Sequence, residues 1–131
     1  MYGKTAVEWE QLVDATVGFL EERARAGAVA TYTELSRALV VRTGQRALDF
    51  AREADRAAVG RLLGEAVDRT LPEVGAMISA ITLYQGGNDP GPGFYALAVD
   101  KGLLTPNASP AQKLDFWTGQ VNRVYAHYRF L

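Results

Sequence analysis

Gly-Gly-Asn-Asp-Pro-Gly-Pro-Gly, residues 86–93, interrupts the chain directly after an apolar run from Val74 to Tyr84. Glycine and proline this closely spaced demand a turn, so the run before it must end there. Gly75 to Tyr84, with Ile78, Ile81 and Leu83 as core material, is therefore expected to be a strand leading into a turn or wing tip.

Two helices are expected upstream of that strand. Thr31 with Glu34, or Thr33 as cap, opens a helix through Leu35, Ala38, Leu39 and Val40 that stops at Thr43-Gly44. After an undecided polar stretch, Gln45 to Asp55, a further helix is clear from Arg56, with Asp49 or Asp55 as its cap. Val59, Leu62, Leu63, Ala66 and Val67 form its inward stripe, while Arg61, Glu65 and Asp68 face out. Gly60 and Gly64, one turn apart, suit close backbone approach, and Leu71-Pro72 is expected to end the helix.

The flanks also read as helices. Thr5 with Glu8 fits a capping box before the stripe Trp9, Leu12, Val13, Thr16, Val17, Leu20 and Ala24, which ends near Gly27. Ala28 to Tyr32 is a short β-tolerant segment. Phe94 to Val99 suits one or two helical turns closed by Gly102, and Ser109-Pro110 starts a last helix through Leu114, Trp117, Val121, Val124 and Tyr128. The expected fold is one α+β domain over residues 1–131. It is mostly helical, with a winged helix-turn-helix core, a small antiparallel sheet and helices at both ends.

Composition narrows the functions. With no cysteine there is no disulfide framework, thiolate metal site or cysteine nucleophile. No apolar stretch is long enough to span a bilayer, and the N-terminus is acidic where a signal peptide would be apolar, so a cytoplasmic protein without membrane contact is expected. Net charge is -1 and the pI about 5.8, so nucleic-acid binding would need a local basic cluster. Arg37, Arg42, Arg46, Arg52, Arg56 and Arg61 offer one, interrupted by Asp49, Glu53 and Asp55.

Enzyme constellations are absent. Residues 86–93 lack the Gly-Lys-Ser/Thr of a phosphate loop. His127 is the single histidine and suits a helix C-terminus, and Asp89, Asp100 and Asp115 lack calcium-loop spacing. Ser36, Ser79 and Ser109 have no nucleophile-elbow pattern, and Glu8, Glu10, Glu21 and Glu22 read as an exposed helix face. No catalytic residue, metal or cofactor is expected.

Thr31-Tyr32-Thr33-Glu34-Leu35 and Arg56-Ala57-Ala58-Val59-Gly60, followed by a strand and a glycine-rich turn, resemble the winged-helix part of the DNA alkyltransferase and alkyltransferase-like proteins. The resemblance covers roughly residues 28 to 95. It implies duplex DNA binding through the second helix of the motif, with Arg56 in the place of the arginine that substitutes for a flipped nucleotide and Tyr32 near the phosphates. The Pro-Cys-His-Arg motif of that family is replaced here by Met77-Ile78-Ser79-Ala80-Ile81-Thr82, which excludes alkyl transfer to the protein. Met77 to Phe94 and the later Phe116-Trp117 are also similar to small uncharacterised bacterial and phage-type proteins.

The functional expectation is a non-enzymatic DNA-binding or regulatory protein that contacts double-stranded DNA through Tyr32, Arg42, Arg46, Arg52, Arg56 and Arg61. The alternative is a protein-protein interaction module that binds a partner protein and no nucleic acid.

Overall fold

The computed structural model describes residues 1–84 and 89–129. Along the chain run α1 (Ala6–Arg25), β1 (Ala30–Thr31), α2 (Tyr32–Thr43), α3 (Glu53–Val74), a 3-10 turn (Ile78–Ile81), β2 (Thr82–Leu83), α4 (Pro92–Asp100) and α5 (Pro110–Tyr128). The architecture is mostly helical with one small sheet.

Three helix starts follow from their capping residues. Thr5, Thr31 and Ser109 each accept the amide of the residue three positions on, Glu8, Glu34 and Gln112, whose side chains return to the cap's own amide. Gly44, with φ 71°, closes α2 in the left-handed conformation that a glycine adopts without steric cost. On α1 the buried face holds Trp9, Leu12, Val13, Thr16, Phe19, Leu20 and Ala24. Phe19 takes the place expected of Val17, which is only half-buried. Thr16 is fully buried because its hydroxyl donates to the Leu12 carbonyl at 2.8 Å.

α3 departs from expectation at both ends. It starts at Glu53 with Arg52 as N-cap, and neither Asp49 nor Asp55 caps it, because Asp55 is drawn inward to bond Arg46 and the Asp49 amide. It also runs through Pro72 to Val74 and stops at Gly75, whose amide bonds the Leu71 carbonyl at 2.8 Å. A proline this near the end removes one hydrogen bond without preventing the last turn from closing.

The expected strand from Gly75 to Tyr84 shrinks to Thr82–Leu83, preceded by the 3-10 turn. Ala76 through Thr82 are buried at every position, without the alternation of a half-solvated strand. Side chains of α5 satisfy backbone groups there that a ladder would otherwise serve: the Met77 amide donates to Gln120 Oε1 at 2.8 Å, and Trp117 Nε1 donates to the Ala80 carbonyl at 2.9 Å.

The sheet is parallel, with Ala30 opposite Thr82 and Thr31 opposite Leu83, and this corrects the expected antiparallel arrangement. The connection from β1 to β2 passes through α2 and α3, and a helical crossover returns the chain in its original direction. Of the expected turn or wing tip, residues 86–88 lie outside the described residues. Asp89 to Gly91 form a loop, and Pro92 already opens α4.

The core lies where α1 crosses α2 and α3, with the 3-10 turn and α5 packed behind. Tyr128 fastens α5 to α1, since its ring is 1 % exposed and its hydroxyl donates to Glu21 at 2.8 Å. Among the described residues no helix is long and apolar enough to cross a membrane.

Candidate functional site

The parallel register places the residues that follow the two strands side by side. Tyr32 follows Thr31 and Tyr84 follows Leu83, and their ring centroids stand 4.9 Å apart. Phe50, in the connection between α2 and α3, brings a third ring 6.2 Å from Tyr32. With Arg56 and Gly60 of α3 these rings enclose a cleft of about 320 Å³. Burial, and then the neighbouring Tyr84 phenol, push the Tyr32 hydroxyl up to about 12, so it stays neutral.

Tyr84 holds its position partly because residue 91 is glycine. Gly91 has φ 89°, and a side chain there would collide with the Tyr84 ring. The Tyr84 amide bonds the Asp89 carbonyl at 3.2 Å, and Asp89 Oδ1 accepts the Gly91 amide at 2.6 Å, so loop and ring brace one another.

The cleft continues along α3 into a second lobe of about 140 Å³ that shares Tyr32, Gly60 and Gly93 with the first and reaches Gly64, Ser79 and Phe94. Gly60 and Gly64 do not serve the close helix approach expected of them. A Cβ at either would meet nothing within 4 Å, and both glycines line this groove. Ser79 is 4 % exposed, and its hydroxyl has no hydrogen-bond partner among the described residues.

The arginines expected to act together divide among separate places. Arg42 pairs with Glu22 and lies over the Phe19 ring. Arg61 faces Glu65 at 3.8 Å, one turn along α3. Arg46 is held by both oxygens of Asp55 at 2.8 and 2.9 Å, and it shares a depression of about 420 Å³ with Lys4 and Arg52. Asp55 is 2 % exposed; the two Arg46 bonds chiefly, with help from the Asp49 amide and Arg52, hold its carboxyl well below the usual range against the opposing effect of burial. Arg52 and Arg56 have no carboxylate ion pair among the described residues. Arg56 instead donates to the Phe50 carbonyl at 2.8 Å, which anchors it at the cleft.

Of the residues proposed from the sequence, the structure thus joins Tyr32 with Arg56, and Arg46 with Arg52, and sets Arg42 and Arg61 beside their own carboxylates. Phe50 and Ser79 were not among them. Phe50 sits in a polar stretch with no periodicity, and Ser79 in an apolar run that reads as core. The one legible signal was the pair Gly60 and Gly64, unusual within a helix. Among the described residues no cluster of three or more His, Asp or Glu is arranged to hold a metal ion. His127 Nε2 lies 3.7 Å from Glu73 near the end of α5.

Compared with models of protein families, with characterised proteins and with solved structures, the chain matches none.

Proposed function

We propose that this chain is a non-enzymatic, cytoplasmic binding domain of winged-helix type that contacts duplex DNA through the start of α3. In this reading α2 and α3 form the helix pair, joined by the connection at residues 44–52, which is longer than a tight helix-turn-helix turn. The observation that carries it is Arg56: a guanidinium without a carboxylate partner among the described residues, anchored by Phe50 and set on the same cleft as Tyr32. Arg52 lies one turn earlier, in the separate depression that it shares with Lys4 and the Arg46–Asp55 pair. The footprint is narrow, because Arg42, Arg46 and Arg61 already face carboxylates.

A few phosphate contacts imply a shallow salt dependence, with log K falling by about 0.9 per contact per decade of salt. Fluorescence anisotropy with a duplex at two salt concentrations tests this. Arg52→Ala and Arg56→Ala should each lower the slope by about 1, whereas Arg61→Ala should leave it unchanged. Absence of binding at low salt overturns the reading.

The second reading, a protein-protein interaction module, is favoured by the neutralised arginines together with a net charge of -1. Under it, DNA binding is absent, and a copurifying protein loses its hold when Tyr84→Ala opens the cleft.

A further inference from the structure

We infer that the groove along α3 is a binding site for a small, free, planar aromatic acid, with its ring between Tyr32 and the Gly60–Gly64 face and its anionic group at Arg56. This goes beyond DNA contact, and the site stands whether or not the chain binds DNA.

Shape supports it first. A helix advances about 1.5 Å per residue, so Arg56, Gly60 and Gly64 mark out a floor roughly 12 Å long. At both glycines that floor is bare backbone, since a Cβ there would project into open space. The walls are rings: Tyr32, Tyr84 and Phe50 at one end and Phe94 at the other. A flat ring can lie against such a floor and be faced by such walls, which a branched aliphatic group would fit less closely. The main lobe, about 320 Å³, is at the small end of the range for small-molecule sites, which points to one or two fused rings.

Two polar groups then define the chemistry. Arg56 has no carboxylate partner among the described residues, and an anion beside it would supply one. Ser79, buried at the inner end, has a hydroxyl that neither donates nor accepts among the described residues. A buried hydroxyl is unfavourable without a partner, and a ring N–H or carbonyl reaching it would satisfy it. Among the described residues, Gln45, Thr82 and His127 also carry buried side-chain atoms without a hydrogen bond, but of these only Ser79 lines the groove.

The test is an amide-resolved NMR titration of the full chain, without DNA, using indole-3-acetate and 1-naphthoate as probes and 3-methylindole as the uncharged control. Saturable shifts are expected at the Gly60, Gly64 and Gly93 amides, with a Kd of about 1 mM or tighter for at least one acid. The control should bind about tenfold more weakly, as should Arg56→Gln with the acid, and Ser79→Ala should weaken indole-3-acetate about three- to tenfold. Gly60→Leu fills the floor and should abolish the shifts, and Gly60→Ala, a smaller change, should weaken them while its spectrum shows a folded chain. No saturable shift at Gly60 and Gly64 with either acid, equal affinity for 3-methylindole, or undiminished binding in folded Gly60→Leu would each overturn the site. Because DNA is absent from the sample, these outcomes are separate from those of the anisotropy experiment.

Discussion

Arg46 grips Asp55 through two parallel hydrogen bonds, and the same carboxylate accepts the Asp49 amide at 2.8 Å. One buried charge thereby organises the connection between α2 and α3. Leu48 is tied in as well, its amide donating to Ser36 Oγ at 3.2 Å. The connection in turn delivers Phe50 to the aromatic cleft and its carbonyl to Arg56.

Asp55→Asn keeps the shape but loses the charge, and should lower stability by about 1.5–3 kcal/mol in urea unfolding, the scale of hydrogen bonds to a charged group. The pH dependence has a definite sign. The folded-state pKa is depressed, so the stabilisation is complete above the unfolded carboxyl value of about 3.9 and is lost progressively as pH falls below it. Between pH 5 and pH 2.5 the wild-type urea midpoint should therefore fall more steeply than that of Asp55→Asn. Parallel curves would remove Asp55 from the account.

Gly60→Ala and Gly64→Ala should each stabilise the protein, by about 0.5–1 kcal/mol, because both positions are helical and open to a Cβ. Thermal unfolding reads the effect. A destabilised Gly60→Ala would mean that the groove is narrower than described.

Gln120 is 6 % exposed and is the hydrogen-bond partner of the Met77 amide. Gln120→Met fills the same space but leaves that buried N–H unpaired, at a cost of about 1–3 kcal/mol. Amide exchange at Met77 should accelerate in the variant. Protection equal to wild type would show that another acceptor holds the 3-10 turn.

Tyr32 and Tyr128 bear on the alkaline limb. Burial raises both phenols above the usual value of about 10, assisted by Tyr84 for one and by Glu21 for the other. The folded state thus retains protons that the unfolded chain loses, and stability is complete below about pH 10 and declines above it. Burial also raises Tyr95 and Tyr125, so tyrosine absorbance at 295 nm should show four phenols titrating late in the folded protein, Tyr32 and Tyr128 last, and normally in urea. Tyr128→Phe should remove one of them and flatten the decline.

The helices were legible because their signals are local. Thr5, Thr31 and Ser109 each lie three residues before a glutamate or glutamine, and the stripe from Val59 to Val67 needs only its own spacing. The segment before Tyr84 misled for the same reason. Its apolar run satisfies strand propensity, whereas its conformation depends on hydrogen bonds from Gln120 and Trp117, distant in the chain.

The capping boxes at Thr5, Thr31 and Ser109, the inward stripe of α3 and the absence of cysteine were determined by the amino-acid sequence alone, since each depends on residue identity or on neighbours within one or two turns. Tertiary structure decided strand direction and the fate of each arginine. Two guanidiniums four residues apart along the string can each meet a carboxylate on a different element, as Arg42 meets Glu22 and Arg46 meets Asp55. Tyr32 and Tyr84 became neighbours only when two short strands paired in parallel. Charge pairing and ring contact act over a few ångströms in space, and only the completed fold sets which side chains come that near.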